Sequence, residues 1–199
     1  KGDELIFEVQ TGDAVPFSQK ALRVHDFILG LSVNKPSNYR LVGRIETQGT
    51  LMLPIKWQTE KDYAENLAVN QMIYGIYYGV LMIMALYHLF IYFVIRERGY
   101  LFYVLSVSAF ILLQLAFDGR GFSWIWPEYP ILNKYSFPFA YALYQLAIFT
   151  FIVEFLKLKE SSPNLYRYFV GLRVLVLCLM PLIFILPYNS IVPVVVIVG

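Results

Sequence analysis

From residue 72 onward the chain is a succession of long apolar runs separated by short polar intervals. A membrane-spanning helix needs about 20 mostly apolar residues, because the hydrocarbon core is about 30 Å thick and each helical residue rises about 1.5 Å. Four stretches meet that length, at 72–95, 100–117, 136–156 and 168–188. "SIVPVVVIVG", from Ser190, opens a fifth but supplies only ten residues, about 15 Å of helix, so further spans are expected in the native protein. Upstream the pattern changes. "DELIFEVQ", "LRVHDFILGLSV", "NYRLVGRIET" and "TLMLPIKWQ" are short, rich in aliphatic and aromatic residues, and punctuated by Gly, Pro and Asn. That alternation predicts antiparallel strands about every ten residues. Between the two patterns, Thr59 with Asp62 three residues later predicts a helix N-terminus, and the helix is expected to run unbroken into the first span.

These elements divide the chain into the end of an extracytoplasmic β-domain (1–58), a helical entry (59–71) and a helical bundle (72–199) of four full spans plus a truncated fifth. The fold class expected is an α-helical polytopic membrane bundle preceded by an extracytoplasmic β-domain. Four strands make a marginal fold on their own, and the opening "KGDELIFEVQ" is already strand-like. The chain is therefore read as part of a longer protein.

Composition sharpens the division. Of 199 residues, 58% are hydrophobic and 15% charged, against about 25% charged in a soluble domain. Residues 1–66 carry 17 of the 30 charged side chains and 67–199 only 13. The net charge of +2, without a basic cluster, excludes nucleic acid as a partner. Membrane lipids are the partner such a surface demands. Cys178 is the single cysteine and His25 the only histidine of the outer third. A disulfide within the chain and a thiolate metal site are excluded, no metal or cofactor is expected, and Cys178 is read as a buried bystander.

Basic residues in short loops face the cytoplasm. Arg96, Arg98, Lys157, Lys159 and Arg167 lie on one side, Arg120 and Lys134 on the other. Five against two places residues 1–66 outside. The loop "FDGRGFSWIWPEYPILNKY" (117–135) then also lies outside. Its aromatics, Trp124, Trp126, Tyr129 and Tyr135, fit an interfacial collar, with Gly119 and Gly121 forming turns and Pro127, Pro130 and Pro138 stopping helix. A ligand-contacting loop, with Asp118, Arg120, Trp124 and Trp126 as its candidates, is the alternative. Asp118, Arg120 and Glu128 are the only acid–base candidates, and they match no catalytic pattern.

Polar groups at depth face other helices. Gly75 and Gly79, four apart in "YGIYYG", form a small-xxx-small face for close helix packing and a candidate homodimer contact. His88, Ser106, Thr150 and Arg173 all fall about 8–10 Å inside the cytoplasmic boundary. They are candidates for a polar layer in which His88 bonds a hydroxyl of another span, and Glu154 is a candidate partner of Arg173 or Lys157. The competing reading has each hydroxyl bonding its own helix and Arg173 reaching to the headgroups.

"YGIYYGVLMIMALYHLFIYFVIRERGYLFYVL" (74–105), "DGRGFSWIWPEYPILN" (118–133) and "LPY" (186–188) resemble the bacterial seven-transmembrane receptors with diverse intracellular signalling modules. "GTLMLP" (49–54) and the strand pattern before it are similar to the end of that family's jelly-roll extracellular domain, which implies that the extracytoplasmic β-domain is a β-sandwich. Where the family commonly has Asn in "YNLF", this chain has His88 in "YHLF", so a shared role at that position is not assumed. The resemblance implies a bacterial inner-membrane receptor with a periplasmic N-terminal domain. That domain would sense a ligand, of carbohydrate type by its likeness to carbohydrate-binding modules. A cytoplasmic output module outside this chain would be a kinase, diguanylate cyclase, phosphohydrolase or phosphatase. This chain is accordingly read as a receptor and not an enzyme; a transporter or lipid- or solute-binding protein is the alternative.

Overall fold

The computed structural model describes residues 55–198, together with residues 12, 15, 16, 28, 30 and 42–46. The four expected strands lie almost wholly outside the described residues. The described parts of the third and fourth, 42–46 and 55–58, are exposed and carry no regular secondary structure, so the β-sandwich has no counterpart among the described residues.

The described chain is helical. Its elements are α1 (Glu60–Ile95), α2 (Arg98–Phe117), α3 (Arg120–Trp124), α4 (Pro130–Phe155), α5 (Leu158–Ser161), α6 (Pro163–Ile185) and α7 (Tyr188–Val198). Four of them, α1, α2, α4 and α6, are long and apolar enough to cross a membrane. In lipid every backbone amide must find its partner within the segment, and an unbroken apolar run has only the helix with which to do so.

α1 begins as the Thr59–Asp62 spacing predicts. The Thr59 hydroxyl oxygen accepts from the Asp62 N–H at 3.2 Å and donates to the Asp62 carboxylate at 2.7 Å. The helix then continues for 36 residues, about 54 Å, far more than the membrane requires. It stops at Arg96, which adopts the left-handed conformation (φ 57°) and returns its N–H to the Tyr92 carbonyl at 2.7 Å. Lys157, which ends the α4–α5 turn, is the second non-glycine residue with positive φ (48°) among the described residues. Both sit in short turns after long helices, where a left-handed residue reverses the chain in very few steps.

α4 is central: it packs against α2, α6 and α7, whereas α1 packs on α2. The core lies among α4, α6 and α7 and comprises Ala142, Phe149, Val176, Ile183, Ile191 and Val195. Within it the Gln145 amide donates to the Val195 carbonyl at 3.0 Å, tying α7 to α4.

Three expectations are corrected. Pro138 does not stop helix; it is buried inside α4, which starts at Pro130, six residues before the expected span. Proline at the first turn has no bond to lose, and Pro138 frees only the carbonyl of residue 134, close to the outer surface. α6 likewise starts at Pro163, five residues earlier than expected. Cys178 is exposed on the outward face of α6, not buried.

A left-handed non-glycine residue costs about 1–2 kcal/mol. Lys157→Gly is therefore expected to stabilise the bundle, by on the order of 1 kcal/mol once the extra freedom of glycine in the unfolded chain is subtracted. Denaturant titration in bicelles reads this directly.

Candidate functional site

Where α2 ends, the chain turns through an elbow that gathers polar and aromatic groups against α1. Asp118 caps α2, and its N–H bonds the Gln114 carbonyl at 2.9 Å. Gly119 then takes φ 70°, a conformation glycine adopts without the penalty a Cβ brings. This reversal points Arg120, the first residue of α3, back toward α1. Arg120 is only 4% exposed. Its guanidinium carbon lies 3.9 Å from the centre of the Tyr74 ring and 6.0 Å from that of Trp124. One turn deeper, the Tyr78 hydroxyl donates to the Asp118 carboxylate at 2.9 Å. The Gln114 amide donates to the Tyr77 hydroxyl at 3.0 Å. Tyr74, Tyr77 and Tyr78 share one face of α1 by their i, i+3, i+4 spacing, and they are the residues against which the elbow closes.

Asp118, Arg120 and Trp124 thus come together, as candidates for a loop site would. Trp126 does not join them. Its indole N–H donates to the Asn133 side-chain oxygen at 3.0 Å, and its ring lies over Gly121. A Cβ on Gly121 would stand 2.6 Å from Trp126 Cη2 and 3.1 Å from the Leu115 carbonyl oxygen. The two glycines therefore differ: Gly119 makes the turn, whereas Gly121 is helical and leaves room for a ring. Tyr129 and Trp124 are 65% and 66% exposed, as collar residues are.

The Asp118 carboxylate accepts from the Tyr78 phenol, and the Nε and Nη2 atoms of Arg120 have no hydrogen-bond partner. Among the described residues no group of three His, Cys, Asp or Glu side chains is placed to hold a metal ion.

At the inner depth the proposed hydrogen bond from His88 to another span is not made. The His88 Nδ1 meets its own Met84 carbonyl at 2.8 Å, Ser106 donates to the Phe102 carbonyl at 2.8 Å, and Thr150 to the Leu146 carbonyl at 2.7 Å. A hydroxyl four residues past a carbonyl satisfies itself without a neighbour. What joins the helices at this level is rings: His88 on Tyr103, with centroids 4.1 Å apart, and Tyr103 on Phe151 at 5.7 Å. Glu154 forms no ion pair with Arg173 or Lys157; the three line an open cavity of about 320 Å³ where α4 ends and α6 begins, with Lys159, Glu160 and Tyr166. A Cβ added at Gly75 or Gly79 would meet nothing within 4 Å, so this face contacts no other helix among the described residues.

Four helices long and apolar enough to cross a membrane, the first of them running well past that length, describe a class, that of polytopic helical membrane proteins. The comparisons are more specific. The family described as "7TM diverse intracellular signalling" matches residues 70–199, and the one described as "7TMR-DISM extracellular 2" matches residues 1–59. The chain belongs to the 7TM diverse intracellular signalling family, whose members are transmembrane signalling receptors. No curated protein and no solved structure matches the chain.

Gly121→Ala is expected to cost about 1–3 kcal/mol, the usual penalty for overfilling a packed site. Adding Trp126→Ala should make the same glycine substitution close to neutral, a coupling that a double-mutant cycle of unfolding measurements in nanodiscs detects.

Proposed function

We propose that this chain is the sensing and relaying part of a bacterial inner-membrane receptor. Residues 1–58 end a periplasmic β-sandwich that binds an external ligand, of carbohydrate type by the likeness already drawn. The bundle passes the event to a cytoplasmic output module. The observation that carries this reading is the continuity of α1. Its register on α2 is set by Tyr78 against Asp118 and by His88 against Tyr103. Residues 60–73 therefore extend past the elbow as about 20 Å of uninterrupted helix. A slack linker absorbs a movement of the outer domain, whereas a capped helix delivers it to the elbow. A receptor needs two packings of the bundle whose balance the ligand shifts. The hydrogen bonds and ring contacts between α1 and α2 are the contacts that would differ between them.

The phase of α1 tests this reading. Two alanines inserted after Ala68 turn everything upstream by about 200°, whereas seven return it to within about 20° of its starting direction. In the full-length protein, the two-residue insertion is expected to change basal output several-fold and the seven-residue insertion to leave it near wild type. Equal output from all three would mean that α1 is an inert anchor, and the relay reading would be lost.

A further inference from the structure

Arg120 is built to hold more than the elbow. The side chain is 96% out of water, yet its Nε and Nη2 atoms have no hydrogen-bond acceptor. These two atoms form the lateral edge of the guanidinium, the edge that offers two parallel N–H bonds to two oxygens of one phosphate or carboxylate. A buried cation without an acceptor is costly, by several kcal/mol in a protein interior. Asp118 does not serve that edge: its carboxylate accepts from the Tyr78 hydroxyl, while the Arg120 Nε and Nη2 have no partner. The Tyr74 ring at 3.9 Å fixes the plane of the group, and a flat cation held on an aromatic face is preorganised for bidentate binding.

Depth selects the oxyanion. The elbow lies where α2 ends, and the neighbouring rings of Trp124 and Tyr129 are about two-thirds exposed. Exposed Trp and Tyr side chains at a helix end mark the headgroup level, where phosphate is the prevailing anion. We propose that the lateral edge of Arg120 is a binding site for a phosphate oxyanion at the outer membrane surface. Rotation of the exposed Trp124 admits the oxyanion. Occupancy would fix Arg120 on Tyr74 and so clamp α3 to α1 at the point where the helix enters the bundle. Two sources carry this chemistry, a phospholipid headgroup and free phosphate.

The experiment uses the whole protein in three kinds of nanodisc: phosphatidylglycerol, a galactolipid without phosphate, and the galactolipid with millimolar inorganic phosphate. Thermal unfolding is read for the wild type and for Arg120→Lys, which keeps the charge and removes the fork. The expected result is a wild-type midpoint roughly 5 °C higher with phosphate present than absent, and a shift at least halved in Arg120→Lys. Rescue by inorganic phosphate identifies the free ion as sufficient; rescue by phosphatidylglycerol alone identifies the lipid. Equal wild-type midpoints in all three discs, or the same shift in Arg120→Lys, would overturn the proposal. Should Arg120→Lys not fold, the wild type decides alone. Solid-state NMR dephasing of a solvent-protected arginine Nε by phosphorus supports the site, and no dephasing with either phosphate source refutes it.

Discussion

Among the described residues α1 leans mainly on α2, with Arg120 of α3 set against its Tyr74, and the place of α1 in the bundle depends on that seam. Burial of leucine against leucine does little inside a membrane, because lipid tails are as apolar as side chains. Directional contacts must then set the register. Along the α1–α2 seam these are Tyr77 with Gln114, Tyr78 with Asp118, and His88 tilted against the Tyr103 ring. The first two sit near the outer end of the seam and the third near the inner end, so the helices are fixed against both sliding and turning. Each interhelical hydrogen bond contributes only about 0.6 kcal/mol on average. A seam of this kind is firm enough to define one packing and weak enough to yield to another.

The rest of the bundle is arranged differently. α4 is surrounded, and its small residues Ala140 and Ala142 are almost fully buried. Small side chains let backbones approach, and close approach is the source of packing energy in lipid. Gln145, also buried, fastens α7 to this frame. The connection back from α2 is equally constrained, since the Trp126 ring occupies the space over Gly121 and its N–H reaches Asn133. α4 thus joins α2, α6 and α7, and α1 stands at the edge of this group, packed on α2.

The spans were legible because crossing lipid demands an unbroken apolar run, and no folding detail alters that demand. Their ends were less so. Proline marks a boundary in most contexts, yet Pro130 and Pro163 open helices, and Pro138 sits inside one. The cap at Thr59 was legible because it is local, three residues wide. The clasp was half legible: Asp118, Arg120 and Trp124 stand together in the chain, but their counterparts Tyr74 and Tyr78 lie 40 or more residues earlier. The tyrosine spacing on α1 was visible in "YGIYYG", where the glycines drew attention instead. A polar layer around His88 was expected from depth alone. Depth does not say whether a hydroxyl bonds its neighbour or its own helix, and here Ser106 and Thr150 bond their own.

The position of Tyr74 along α1 has a mechanical consequence. Fourteen residues separate it from Glu60 and twenty-one separate it from Ile95. If Arg120 pins the helix at Tyr74, α1 is a lever whose fulcrum lies nearer its outer end. The inner arm is then longer than the outer by roughly one half, at an equal rise of about 1.5 Å per residue. A small sideways push outside becomes a larger and opposite sweep of the Arg96 turn inside.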